Sequence, residues 1–141
     1  VPKEAAVIHL QEDLNLKLRL IDCVGYMVNG ATGHLEENAQ RMVKTPWFEE
    51  EIPFTHAAEV GTRKVIHEHA TIGIVVTTDG TITEIDREAY LEAERKTIME
   101  LQNIGKPFVV LVNSKKPYAK EAQETAGWLE ETYGVRALTV N

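Results

Sequence analysis

Three observations predict an α/β fold, a three-layer arrangement around a mostly parallel sheet with an antiparallel hairpin at its start. Apolar runs alternate with helically periodic stretches along most of the chain. Two of those runs, Ile72–Val76 and Phe108–Val112, are continuously apolar, as strands covered on both faces should be. A short polar turn, Gln11-Glu12-Asp13, separates the first two runs and is too brief for a parallel crossover.

Taken in order, Val7–Leu10 and Leu16–Asp22 form the hairpin. In the second, Leu16, Leu18 and Leu20 alternate with Lys17 and Arg19, so one face begins in water. Phe54, Ala57, Ala58, Gly61 and Val65 fall on one side of a helix over Phe54–His69. The strand Ile72–Val76 follows. Tyr90, Leu91, Ile98, Leu101 and Ile104 then mark a helix over Arg87–Asn103, with Gly105 as its stop and Pro107 beyond. After Phe108–Val112, the positions Ala122, Ala126, Leu129 and Tyr133 give a third helix, ended by Gly134. Arg136–Val140 is the last strand. Tyr26–Pro53 has no clear period and contains Pro46, Pro53 and the acidic run Glu49-Glu50-Glu51. A stretch of that length without its own period is a candidate functional loop.

The 141 residues are enough for one domain with a real core, and 43% apolar with 26% charged residues reads as globular. No run approaches membrane-spanning length. The single cysteine, Cys23, excludes an internal disulfide and fits a reducing compartment. A formal charge of −7 argues against a nucleic-acid partner, whose phosphates need a basic face. A nucleotide is compatible with that charge, because backbone amides and a metal hold its phosphates.

In open α/β sheets, ligands bind beyond the carboxyl ends of the strands. Three polar clusters stand there: Asp22-Cys23-Val24-Gly25, Thr77-Thr78-Asp79-Gly80 and Asn113-Ser114-Lys115-Lys116-Pro117. Asp-x-x-Gly at a strand end suits phosphate chemistry, since the carboxylate reaches a magnesium shell and glycine lets its amide approach a terminal phosphate. Gly25–Thr32 has the glycine spacing of a phosphate-binding loop but alanine in place of its lysine, and no amphipathic helix follows. A rival constellation is a receiver-like signalling or binding module, with Asp22, Thr77 and Lys116-Pro117 as its phosphorylation set. It lacks the acidic pair at an earlier strand end. His67 and His69, two apart on a helix, diverge and make a poor metal pair.

The order hairpin, "LIDCVGY", long loop, helix, "TIGIVVTTDGTI", helix, "GKPFVVLVNSKKPY" resembles the later part of a P-loop GTPase-like domain. The long stretches "RMVKTPWFEEEIPFTHAAEVGTRKVIHEHATIGIVVTTDGTI" and "PFVVLVNSKKPY" are similar to the stage IV sporulation protein A family of spore-coat morphogenetic ATPases. That resemblance spans essentially the whole chain. It implies an ATPase, with ATP and Mg2+ as cofactors, whose hydrolysis drives self-assembly into a homopolymer. The layer would lie in the mother-cell cytoplasm at the forespore surface. Other spore-coat morphogenetic proteins would be partners, and other regions or an adaptor would contact the forespore membrane.

Residue by residue, the resemblance makes Asp22 the Walker-B-like aspartate, holding magnesium through water, and Gly25 the phosphate-sensing glycine. Asn113, Ser114, Lys115 and Lys116 become the nucleotide-binding segment. The guanine-reading pattern Asn-Lys-x-Asp ends in a carboxylate that accepts from guanine; Lys116 stands there and only donates, which favours ATP. Tyr26 occupies the place of the water-positioning glutamine common in such GTPases. The family's phosphate-binding loop and switch threonine would precede Val1. Residues 1–141 are therefore expected to be a partial GTPase-like ATPase domain, inactive alone and short of a central strand. Tyr26–Pro53, with Gly25, Gly30 and Gly33 as pivots and Trp47-Phe48 as an apolar anchor, is expected to change order with nucleotide state.

Overall fold

The computed structural model describes residues 2–32, 34–36 and 39–141. Strands β1 (Ala6–Gln11) and β2 (Leu14–Leu18) form the antiparallel hairpin, turning at Glu12-Asp13. The second strand stops at Leu18, short of Asp22, because its partner runs out: Ala6 faces Leu18, and no ladder continues beyond. Leu20–Val24 therefore continues outside any strand.

The loop after it carries more order than its sequence suggests. Two-residue strands pair β3 (Leu35–Glu36) with β4 (Ala39–Gln40) and β5 (Met42–Val43) with β6 (Ile52–Pro53). Helix α1 (Phe54–Lys64) follows and opens into a π-helical turn, Val65–His69. Its carbonyl end is tied down by the Lys106 ammonium, which donates to the main-chain oxygens of Ile66, His67 and Ala70. Gly33 lies outside the described residues.

The rest of the chain is two βαβ units in series: β7 (Gly73–Thr78), α2 (Arg87–Asn103), β8 (Phe108–Asn113), α3 (Lys120–Tyr133) and β9 (Ala137–Val140). The strands are parallel and adjacent in the order β7-β8-β9. Both crossovers step the same way across the sheet, and crossovers of one hand then carry their helices to one face. Val75, Val110, Val112 and Ala137 on that face pack with Ile98 and Leu101 of α2, Ala126 and Leu129 of α3, and Ile66 of the π turn. Glycines end both helices in left-handed conformation, Gly105 after α2 and Gly134 after α3.

The expected burial of Ile72–Val76 on both faces is corrected here. Ile72, Ile74 and Val76 are each more than half exposed, and Leu138 is exposed beside them. Both α2 and α3 sit on the opposite face, so among the described residues this side of the sheet has no helix over it. The layering predicted from sequence is realised on one side.

Candidate functional site

The strand-end clusters fall into two places. The first is built where β7 and β8 end side by side, with Thr78 paired to Asn113. Gly80 turns the chain toward α2 with φ +92, and a Cβ there would lie 3.1 Å from the Arg87 nitrogen, so any side chain would be both strained and tight. Asp79 Oδ1 accepts from the Thr81 amide at 3.0 Å and the Thr81 hydroxyl at 2.6 Å. The Thr81 Oγ1 in turn accepts from the Lys115 amide at 3.0 Å. Ser114 is fully buried; its amide donates to the Val140 carbonyl, and its Oγ accepts from the Lys116 amide at 3.0 Å. The Ser114 hydroxyl lies near enough to Asp79 to lower its carboxyl.

These bonds sort the four residues Asn113–Lys116 by what is left for a ligand. Ser114 is consumed by the protein itself. Lys115 and Lys116 have bonded amides and exposed side chains, and Asn113 keeps an amide group with no hydrogen-bond partner among the described residues. Asp79 and Thr81, which lock the segment to the β7 exit, were visible in sequence only as part of a polar cluster.

Partial burial by itself would raise the Asp79 carboxyl, but hydrogen bonds from Ser114 and Thr81 outweigh it and hold it below the ordinary 3.8. A carboxylate lowered in the folded state stabilises the fold above its unfolded value, and that stability is lost as pH falls through the folded value. Asp79→Ala is therefore expected to lower stability by about 0.5–1 kcal/mol at neutral pH, since its Thr81 hydrogen bonds are exposed to solvent. Thermal melts of the two proteins should converge as pH drops below 3.8. A gap that stays constant into acid would show that the charge is not used.

The second place is the corner after β2. Asp22 is exposed and, among the described residues, forms no hydrogen bond or ion pair, so its carboxylate is free for a metal-bound water. No group of three or more His, Cys, Asp or Glu side chains able to hold a metal occurs among the described residues. Asp22 thus fits the kind of magnesium site in which one carboxylate is completed by waters and phosphate oxygens. Gly25 adopts φ +82, a conformation that side chains resist, and its amide donates to Thr62 Oγ1 at 3.0 Å. Asp22, Cys23 and Val24 line a cavity of about 490 Å³ with Trp47 and the α1 residues Ala58, Gly61 and Thr62. Trp47 lies against Gly61, where a Cβ would be 3.3 Å from its ring, with the Lys64 ammonium over the ring at 5.9 Å.

Tyr26 lines a separate cleft of about 350 Å³ with Glu59 and Arg63 of α1 and Arg95 and Glu100 of α2. Burial first, and then the Glu100 charge, push its phenol above the usual value, so it stays protonated. The receiver-like set is not assembled. The Thr77 hydroxyl is buried on the helix-covered face with no hydrogen-bond partner among the described residues, and Lys116 is an exposed loop residue. No hydrogen bond or ion pair among the described residues links Asp22 to Thr77 or to the Asn113–Lys116 segment.

A sequential parallel sheet with polar loops at its carboxyl edge, beside a separate Asp-x-x-Gly corner, is compatible with part of a P-loop-like nucleotide-binding domain. The comparisons agree and go further. The family model described as "Stage IV sporulation protein A, ATPase domain" matches residues 1–141, and the chain belongs to that family. It is 50% identical over 141 residues to Stage IV sporulation protein A of Bacillus subtilis (strain 168). The corresponding proteins of Bacillus anthracis and Clostridioides difficile (strain 630) are 49% and 48% identical. In each case all of this chain is covered and 29% of the relative, so the chain spans under a third of their length. No solved structure matches it significantly. Among the described residues no helix is long and apolar enough to cross a membrane.

Proposed function

We propose that this segment is the catalytic-corner and base-binding part of an ATP-hydrolysing scaffold that polymerises into the basement layer of the bacterial spore coat. The observation that carries the reading is the free Asp22 carboxylate three residues before the left-handed Gly25, within a chain of the ATPase-domain family. Asp22 holds magnesium through water, and the Gly25 amide meets the terminal phosphate. Asn113, Lys115 and Lys116 face the base, and Ser114 fixes their backbone. The phosphate-binding loop and the switch threonine are supplied by the remainder of a longer protein, so the segment alone is inactive. Work is done in the mother-cell cytoplasm at the forespore surface, with further copies of the protein and other coat proteins as partners.

Base choice tests the reading. ATP should outcompete GTP in the full-length protein, because an ammonium at Lys116 cannot accept from guanine. Lys116→Asp should raise GTP affinity by about tenfold, the worth of hydrogen bonds to a charged acceptor. Equal affinity for the two nucleotides in the unmodified protein, measured by competition, would remove Asn113–Lys116 from the base site.

A further inference from the structure

The Gly25 amide is already occupied. It is the hydrogen-bond donor that the proposed function assigns to the terminal phosphate, yet here it donates to Thr62 Oγ1 at 3.0 Å across 37 residues. Thr62 is only 2% exposed, on the inner side of α1, and lines the same cavity as Asp22. A backbone amide has one proton and serves one good acceptor at a time. From this geometry we infer that Thr62 is a positioning residue that competes with the terminal phosphate for the Gly25 N–H. The inference rests on the assignment of Gly25 as phosphate sensor.

Chemistry sets the direction of the competition. A phosphate oxygen is charged and makes the stronger bond, so it takes the amide when it is present. Doing so strands a buried hydroxyl oxygen, and that loss is subtracted from the affinity for any nucleotide whose terminal phosphate reaches Gly25. A diphosphate, ending short of the glycine, leaves the Thr62 bond in place. Thr62 therefore lowers the preference for ATP over ADP. It also links the amide to the long loop, because the preceding residue, Gly61, seats the Trp47 ring. Moving α1 to free Gly25 moves that seat.

The test is the ratio of ADP to ATP dissociation constants in the full-length protein with magnesium, using a non-hydrolysable ATP analogue. Thr62→Val removes the hydroxyl and keeps the shape; the ratio should rise by about three- to tenfold, through tighter ATP-analogue binding with ADP unchanged. Thr62→Ser, which keeps the hydroxyl, should retain the original ratio. Thr62→Ala replaces the valine variant if thermal melting shows that variant unfolded. An unchanged ratio in a folded variant lacking the hydroxyl overturns the role of Thr62 while leaving the ATPase reading intact. Failure of the unmodified protein to bind the ATP analogue overturns that reading and this one with it. If both Val and Ala variants unfold while Ser does not, the hydroxyl is structural and the competition is refuted.

Discussion

Asp22→Asn in the full-length protein is expected to reduce magnesium-dependent ATP turnover by about a hundredfold or more, with the fold left intact. An amide keeps the size of the side chain but lacks the negative charge that holds the metal, and metal stabilisation of a phosphoryl transition state is worth several kcal/mol. The same substitution should shift thermal unfolding by less than about 0.5 kcal/mol, since Asp22 is exposed and, among the described residues, makes no hydrogen bond or ion pair to lose. Steady-state turnover and a melting curve separate the two effects. A variant that melts early and loses activity in proportion would make Asp22 a structural residue of the turn. Full activity with normal stability would remove it from the metal site.

The largest effect on stability is expected at a buried ion pair on α2. Glu94 on α2 has a side chain 1% exposed and pairs with Arg87, at the start of the same helix, at 2.9 Å. The Arg87 guanidinium also lies over the Trp128 ring of α3, 5.7 Å from its centroid. One atom of each partner, Arg87 Nη1 and Glu94 Oε2, is buried without a hydrogen bond among the described residues. Glu94→Ala leaves the guanidinium largely buried and uncompensated, and should cost about 3–5 kcal/mol. Replacing both, Arg87→Met with Glu94→Leu, should recover most of that loss, because two desolvated charges are exchanged for apolar contact. Denaturant unfolding of the single and double variants reads the difference directly. A double variant as unstable as the single one would mean that packing, not charge, is the issue at this site.

What the sequence made legible follows from where local pattern governs. The helix Arg87–Asn103 is found at its predicted limits because its apolar face and the Gly105 stop are both local signals. The strand read as Ile72–Val76 instead extends to Thr78: hydrogen bonding to Val112 and Asn113 continues it after its apolar residues end. Conversely, β2 ends before Asp22 because its partner is exhausted, although apolar residues continue. The π turn at Val65–His69 keeps a helical hydrophobic pattern, so periodicity reads it as more α-helix. The paired strands at Leu35–Gln40 and Met42–Pro53 are two residues each, too short to have a period.

The site divides in the same way. Asp22 and Gly25 are legible because their chemistry lies in four consecutive residues. Thr62 is not, since it sits among ordinary helical positions and acquires its role from a contact 37 residues away. Asp79 and Thr81 lie in a turn whose polar composition is common, and only the approach of the β8 exit brings the Lys115 amide onto Thr81.

That approach has a thermodynamic consequence for whatever docks against Asn113–Lys116. The amides of Ser114, Lys115 and Lys116 are each held by an internal acceptor, so the backbone of this segment is set by folding itself. Binding then orders little main chain, and the remaining entropic cost is the quenching of the lysine side chains. A ligand that touches mainly the fixed backbone and Asn113 should associate with a small conformational entropy loss. One that must immobilise both ammonium groups loses about 0.5–1.5 kcal/mol for each before its contacts count. At this surface, discrimination between ligands is therefore weighted toward those that leave the lysines free to move.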